Sequence, residues 1–552
     1  MERELPEELP VDILHWSAAL LPIIVLLVLL AGLRWKAPEA GPVGMFLAGI
    51  IALVLFQAPL EMLAVATGKG VWDAIFILFV IWPALLLYKV ADQAGAFEAL
   101  RVGISRFSKS DLFLVLAFGW VFASFLQGIA GFGVPIAVVA PLLIGLGVKP
   151  IYAVVIPLIG HVWANMFGTL AVGWLATMQV VNLENPTETA FQTALMLIIP
   201  NALSGVVIAW LFGRMKAVIH ALPMLVIIVA IHGGVQAGLV LINPVISAFI
   251  ASAVALVALY PLSRWSRYGE RTEHIEHRHV MESQEPRKDE GPEPVMGLGM
   301  ALMPYAVLTV LTIAIFVPPA VEDFLGQFEI GPSFPAVETG YGLQAEAEEP
   351  FSPFAPLAHP GTPLLLAAIA AFLLYRARGY YQAWARRHEG TRAGLGGILR
   401  GVLENALPAS VAVLAFLVMS NLMSDSGQTD VLAVGISEVA PAPVYAFIAN
   451  FIGIVGAFMT SSNTASNILF APLQQEAAGA LGIQEATIIG AQSTGGAIGN
   501  AIAPANVVLG TGTAGIVGKE GDVLRFTLPY AGAAAILVGA LTLLLMNMEF
   551  GF

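Results

Sequence analysis

The sequence predicts an all-α, polytopic membrane protein of about 12 to 14 transmembrane helices, with inverted-topology repeats and broken helices. Three observations carry that expectation. Of 552 residues, 58% are hydrophobic and 11% charged, against roughly 25% charged in an ordinary soluble domain. With a mean hydropathy of +0.83, the apolar residues cannot all hide in a core, so the bilayer must solvate most of the surface. Apolar runs of spanning length recur along the whole chain, and two stretches at membrane depth are interrupted by Gly, Pro and small polar residues. The composition also excludes several classes of function. Cysteine is absent, which rules out a disulfide framework, a Cys-ligated zinc or iron–sulfur site and a Cys nucleophile. A net charge of −13 argues against a nucleic-acid partner.

Taken in order, the candidate spans lie near residues 16–33, 42–56, 70–88 and 112–126, followed by an interrupted stretch to about 172. Spans near 191–212, 217–241, 244–262 and 299–317 come next, then 363–375, 401–420 and 444–459, a second interrupted stretch to about 518, and 526–546. Glu2, Arg3, Glu4, Glu7 and Glu8 do not make the positive leader of a secretory signal, so the first span is expected to be retained. Basic connections stay cytoplasmic. Those with Arg34 and Lys36, with Lys89, Arg101, Arg106 and Lys109, with Arg214 and Lys216, and with Arg376, Arg378, Arg386, Arg387 and Arg392 therefore read as inside. The stretch 321–359, with seven acids and no Lys or Arg, and the acidic 421–443 read as outside. The span count agrees with this alternation at each step and places the N-terminus outside the cell membrane.

The chain divides into a first transmembrane half, 1–262, a charged cytoplasmic linker, 263–298, and a second half, 299–552, with an external acidic loop at 319–361. The linker carries His274, His277 and His279. A solvated tether explains them better than a metal site, because no carboxylate–His spacing of a catalytic metal accompanies them.

The interrupted segments, 125–170 and 458–504, resemble one another. Ala140-Pro141-Leu142 answers Ala471-Pro472-Leu473, Leu146-Gly147-Val148 answers Leu481-Gly482-Ile483, and Gly160 with Asn165 answers Gly495 with Asn500. One is approached from a basic loop and the other from an acidic one, which is the mark of an inverted repeat in secondary transporters. Broken backbone at membrane depth is tolerated where it lines a wet cavity or is buried in protein, so these segments are the expected substrate site. Half-helix N-termini can hold a carboxylate and unwound carbonyls a cation. Gly128, Gly131 and Gly133 permit a sharp turn, and Ser461, Ser462, Asn463 and Thr464 supply polar groups. Helix packing through small residues is the alternative, but Ser-Ser-Asn-Thr is more polar than packing requires.

These residues resemble the L-lactate permease family along most of the chain. The likeness is carried by Trp82-Pro83, Tyr88-Lys89 through Gly95, Phe97 and Arg101, by GIAGFGVPIAV, by Ala406-Leu407-Pro408 with Ser420-Asn421 beyond, and by TSSNTASNILFA, STGGAIGNAIAP and VGKEGDVLRF. The resemblance implies a cytoplasmic-membrane carrier of L-lactate, glycolate or similar 2-hydroxy acids by cation symport, usually with protons. Where the family commonly has Glu, Asp and Lys, this chain has Gln127, Asn463 and Asn500. Amides cannot titrate, whereas their carbonyls can coordinate Na⁺. The expected substrate contacts are Gly131, Gly133, Ser461, Ser462, Thr464, Ser493 and Thr494. Gln127, His161, Asn165, Asn463 and Asn500 are the expected coupling or polar contacts, with Na⁺ near Asn463 as the one metal candidate. His161, Glu404, Asp73 and Glu476 are the remaining candidate proton carriers; Arg101 and Arg214 are better read as positive-inside anchors than as carboxylate ligands. No cofactor is expected. The expected partners are a small monocarboxylate, H⁺ or Na⁺, and lipid, with oligomeric state open. The rival readings are a transporter of another organic anion or of a neutral solute, a channel, and a membrane-embedded enzyme. The last lacks an HExxH, DHHC or Ser/His/Asp set.

Overall fold

The computed structural model describes residues 6, 9–270, 280–282, 293–387, 394–548 and 550. His274, His277 and His279 lie outside the described residues. Among those described, no group of three or more His, Asp or Glu is placed to hold a metal ion.

The spans are helical, and their starts follow local chemistry. Asp12 caps α1 (Ile13–Gly32) by accepting from the amides of Leu14 and His15, both at 2.9 Å. Two helices follow, α2 (Ala37–Val54) and α3 (Leu60–Asp92). After α3, Gly95 takes a left-handed turn (φ 78°) into the short α4 (Ala96–Ser105). Next come α5 (Asp111–Ile129), α6 (Val134–Gly145), α7 (Pro150–Gly160) and α8 (Gly168–Met178). Asn185 caps α9 (Pro186–Val240) and Asn243 caps α10 (Pro244–Arg264), each followed by Pro at the first helical position. The chain goes on with α11 (Leu298–Phe316) and continues, beyond the loop helix α12 (Pro319–Gly326), with α13 (Gly361–Ala377) and α14 (Tyr380–Arg387). Then come α15 (Leu395–Asp425), α16 (Gln428–Val439), α17 (Ala442–Thr460), α18 (Asn463–Leu481), α19 (Glu485–Gly499), α20 (Pro504–Thr513) and α21 (Glu520–Leu545).

Among the described residues, ten helices are long and apolar enough to cross a bilayer, or up to twelve if each of two bent pairs is one span. One of the ten, Pro186–Val240, has 55 residues. At 1.5 Å per residue that is about 80 Å, far more than a hydrocarbon core of about 30 Å. Non-helical backbone at Gly213 and Arg214 divides it, so it makes two passes, split where the sequence separates its spans at Arg214 and Lys216. With that division the described residues make eleven to thirteen passes, which overlaps the expected 12 to 14.

One succession of elements occurs twice. A long helix (α3, α15) ends in a left-handed glycine, Gly95 or Gly427, that starts a short helix (α4, α16). A helical hairpin follows (α5 with α6, α17 with α18), and then a broken helix (α7 with α8, α19 with α20). In each copy the broken helix rests on the hairpin through glycine. A Cβ at Gly160 would strike the carbonyl oxygen of Gly119, and one at Gly495 that of Asn450, at the corresponding position of its helix. Lipid offers little hydrophobic drive for helix association, so close backbone approach of this kind does much of the packing.

The acidic loop 319–361 is a folded cap. Its α12 is followed by a two-stranded antiparallel ribbon, β1 (Val337–Glu338) with β2 (Gln344–Ala345), a small exception to the all-α expectation. The cap lies on α3: Trp72 Nε1 donates to the Ser352 carbonyl at 2.9 Å, and Lys69 Nζ meets Glu348 at 3.1 Å. Residues 280–282 of the linker dock on the turn after α6, where Lys149 N donates to Val280 O and Glu282 N to Gly147 O, both at 2.8 Å.

Candidate functional site

The two hairpin tips and the two helix breaks meet. Tip one reverses the chain at Phe132 (φ 53°) and Gly133 (φ 82°). Of the three glycines singled out there, only Gly133 uses the left-handed region. Gly128 is helical and pressed on the Phe249 backbone, and Gly131 is hemmed in by Gln127 and Thr169. Tip two turns at Ser461 (φ 57°), after which the Ser462 hydroxyl caps α18 by accepting from Ala465 N at 3.2 Å.

Break one holds three consecutive left-handed residues, Thr169, Leu170 and Ala171 (φ 52°, 48° and 64°), all buried. Each such non-glycine residue costs about 1–2 kcal/mol, so the turn persists only because its surroundings fix it. The carbonyl of Met166 accepts from Trp174 N, and that of Phe167 from Ala171 N, both at 3.1 Å. The Thr169 hydroxyl accepts from Gly131 N at 2.8 Å, joining break one to tip one. Strain held in this way concentrates at functional sites. Thr169→Val is expected to leave the Gly131 amide without a partner and to destabilise the protein by about 1–3 kcal/mol, read as a lowered thermal midpoint in detergent; an unchanged midpoint would show that this bond does not hold the tip.

Further bonds close the arrangement. Asn463 Nδ2 of tip two reaches Met166 Sδ of break one at 3.7 Å, and Asn165 Nδ2 donates to the Ala497 carbonyl at 3.3 Å. Ala505 N, just past break two, donates to the Ser461 hydroxyl at 3.1 Å.

Between them lies a cavity of about 60 Å³. Tip one contributes Gln127, Gly131, Phe132 and Gly133, and break one contributes His161, Asn165, Thr169 and Val172. Tip two adds Ser461, Ser462, Asn463 and Thr464, and Asn500 and Asn506 come from break two. None of these carries a full charge except His161 when protonated. His161 Nδ1 donates to the Pro157 carbonyl at 2.5 Å, so in the neutral ring Nε2 is the acceptor.

Four helices, α6, α8, α18 and α20, begin at the cavity, and α5, α7, α17 and α19 end there. Helix starts carry positive potential and helix ends negative potential, although the first amides of α6 are already taken by Gly131 O and Gly133 O and that of Ala171 in α8 by Phe167 O. One site can therefore hold an anion and a cation side by side without a charged side chain.

The structure thus gathers Gln127, Gly131, Gly133, His161, Asn165, Ser461, Ser462, Asn463, Thr464 and Asn500 around one space. Ser493 and Thr494 do not line it. They sit nearly two turns before the break, inside the packing of α19, where Ser493 accepts from Asn467 Nδ2 at 3.4 Å. Phe132, Thr169, Val172 and Asn506 line the cavity without having been singled out. Thr169 and Asn506 carried a readable signal, as polar residues in or beside the interrupted motifs. Of the other candidate proton carriers, Glu404 is exposed and paired with Arg400 at 2.7 Å, and neither Asp73 nor Glu476 reaches the cavity. Arg214 lies over the Trp210 ring, 4.0 Å from its centroid, and does not line the cavity.

Broken helices that meet around a small polar space, at the depth of the spans, define a polytopic membrane transport protein. Its nearest description is narrower: the chain belongs to the L-lactate permease family, whose model matches residues 17–548. It is 27% identical to the glycolate permease GlcA of Escherichia coli K12 over 556 residues, 95% of this chain and 94% of that protein. It is 26% identical to the L-lactate permease of Halalkalibacterium halodurans and 27% identical to that of Escherichia coli K12, with 96% of each chain covered in both cases. Among solved structures it is similar to the YdaH transporter of Alcanivorax borkumensis, with a TM-score of 0.46 and 14% identity over 87% of each chain. The relatives are permeases, and the chain is a transporter rather than an enzyme.

Proposed function

We propose that the protein is a secondary active transporter of L-lactate or a related small 2-hydroxymonocarboxylate such as glycolate, working in the cell membrane by cation symport with alternating access. The observation that carries this reading is the convergence of four helix N-termini on a cavity with no fixed charged side chain. A carboxylate is held there by backbone amides and by the hydroxyls of Ser461, Ser462, Thr464 and Thr169, and its own hydroxyl finds the amide groups of Gln127 and Asn506. The size fits as well. One water needs roughly 10–15 Å³ by the same measure of cavity space, so the cavity has room for about four to six water-sized groups, the scale of a small hydroxy acid. The names of the relatives, L-lactate permeases and a glycolate permease, favour the same cargo.

Alternating access follows from treating 1–262 and 299–552 as inverted halves. The repeated succession of elements and the charge of the loops support that treatment, with the N-terminus outside. Each conformation would then expose the site through one hairpin and close it through the other.

The test is uptake into proteoliposomes. L-Lactate or glycolate is expected to accumulate against its gradient, while acetate, which lacks the hydroxyl, competes weakly. Flux that only equilibrates would favour a channel. Asn463→Leu is expected to lower uptake by about tenfold or more with membrane insertion unchanged, and normal uptake in that variant would remove Asn463 from the site.

A further inference from the structure

We propose that the cavity binds Na⁺, and that its ligands include the side-chain carbonyl oxygens of Asn165, Asn463 and Asn500. All three residues are at least nine-tenths buried, being 4%, 3% and 8% exposed. In all three, Oδ1 is closed off from water and accepts no hydrogen bond from the protein. More than nine in ten buried polar groups have a partner, so three unpartnered acceptors on residues that line one small space call for an occupant. Water can supply donors here but is neutral; a cation takes such oxygens as ligands and also gains from the negative potential of the helix ends that meet at the cavity.

The amide orientations agree with this assignment, because the nitrogens of Asn165 and Asn463 are already spent on the Ala497 carbonyl and Met166 Sδ. Helix dipoles agree too. Asn165 lies against Ala497 and the Asn463 oxygen against Gly496, in the last turn of α19, and Asn500 is the residue that caps it. The end of a helix carries about half a negative charge. Gly496 has a direct part, since a side chain there would occupy the space of the Asn463 oxygen.

The chemistry of the donors selects the ion. Oxygen ligands suit hard cations, and divalent ones recruit carboxylates; no Asp or Glu lines the cavity. Neutral amide and backbone oxygens therefore favour a monovalent ion. Coupling follows from the same electrostatics. Na⁺ beside a carboxylate makes a neutral pair, which moves through a low-dielectric interior at less cost than the anion alone.

The coupling rests on the transport reading, but the binding site does not, and the two are tested separately. Thermal unfolding of the purified protein, without substrate, is measured in NaCl and in KCl at equal ionic strength. The midpoint is expected to rise saturably with Na⁺ alone, by about 2 °C or more at roughly 100 mM. Asn165→Leu and Asn463→Leu are expected to remove that rise. If either variant fails to fold, the comparison of the two salts on the unaltered protein still decides. In proteoliposomes an inward Na⁺ gradient is expected to raise L-lactate uptake about tenfold over the same gradient of K⁺. Equal midpoints in the two salts, or full uptake driven by a pH gradient in the absence of Na⁺, would overturn the proposal. Stabilisation by Na⁺ with no uptake of any 2-hydroxy acid would uphold the site and remove the proposed cargo.

Discussion

Replacing Gly495 with valine is expected to prevent the protein from accumulating in folded form. The helices α17 and α19 cross backbone to backbone, and glycines make that possible from both sides. A Cβ at Gly495 would fall on the Asn450 carbonyl, and one at Gly453 on the Gln492 carbonyl. No rotamer relieves a clash with backbone, so the helices would have to separate. Separation would also pull apart the buried polar bonds through which α18 ties the two together, in which the Ser466 hydroxyl donates to Gly453 O of α17 at 2.8 Å and Gln474 Nε2 to Gln492 Oε1 of α19 at 3.1 Å. Overpacking of a core costs typically about 1–3 kcal/mol, and more where only backbone can yield. Against the modest stability of a folded chain, and with two bonds to restore, we expect a fall of about tenfold in monodisperse protein recovered by size-exclusion chromatography. Gly479→Val is the control, because a Cβ there meets nothing within 4 Å. If both variants are recovered equally, the crossing of α17 and α19 is not as described.

How far sequence reasoning reached is explained by what each feature depends on. The interrupted segments stood out because glycine, proline, hydroxyls and amides are rare in an apolar background, and ten of the twelve residues chosen there line the cavity. Ser493 and Thr494 look the same in sequence as Thr464. What separates them is the direction in which α19 faces, and a helix buried on all sides leaves no periodicity to read that from. The break in α9 was legible, since Arg214 and Lys216 interrupt an apolar run. The left-handed turn at Thr169–Ala171 was not, because none of its three residues favours that conformation and only tertiary packing imposes it. The loop 319–361 gave away its acidity. It did not give away its fold, which depends on pairings such as Ile330 with Phe354 and Phe334 with Glu348. Nor did it announce its hold on Lys69, a residue that lies just before the span expected at 70–88 and that the structure places inside α3.

That lysine is the subject of the second large expected effect. Lys69 is 4% exposed in α3, with Nζ 3.1 Å from Glu348 of the cap and 3.9 Å from Asp425 at the end of α15. One turn along, Asp73 is fully buried; it accepts from Asn421 Nδ2 at 3.2 Å, and its second oxygen has no hydrogen-bond donor. Lys69→Met keeps the volume and removes the lysine charge that lies beside Glu348, Asp425 and the buried Asp73. Breaking a buried ion pair from one side costs about 3–5 kcal/mol, and a loss of that size in thermal or denaturant unfolding is expected here. Removing charge from both sides should cost much less, so Lys69→Met with Asp73→Asn is expected to regain at least about 1 kcal/mol over the lysine variant alone. Glu348→Gln, whose side chain is 46% exposed, should lose under about 1 kcal/mol, because water screens that arm of the cluster. Strictly additive effects in the double variant would mean that Lys69 and Asp73 do not share a field. Coupled effects would make the cluster the anchor of the cap on α3. Because the Ser352 hydroxyl of that cap also donates to Gln179 at the end of α8, at 2.7 Å, loss of the anchor should reach the broken helix that lines the cavity and slow transport as well as weaken the fold.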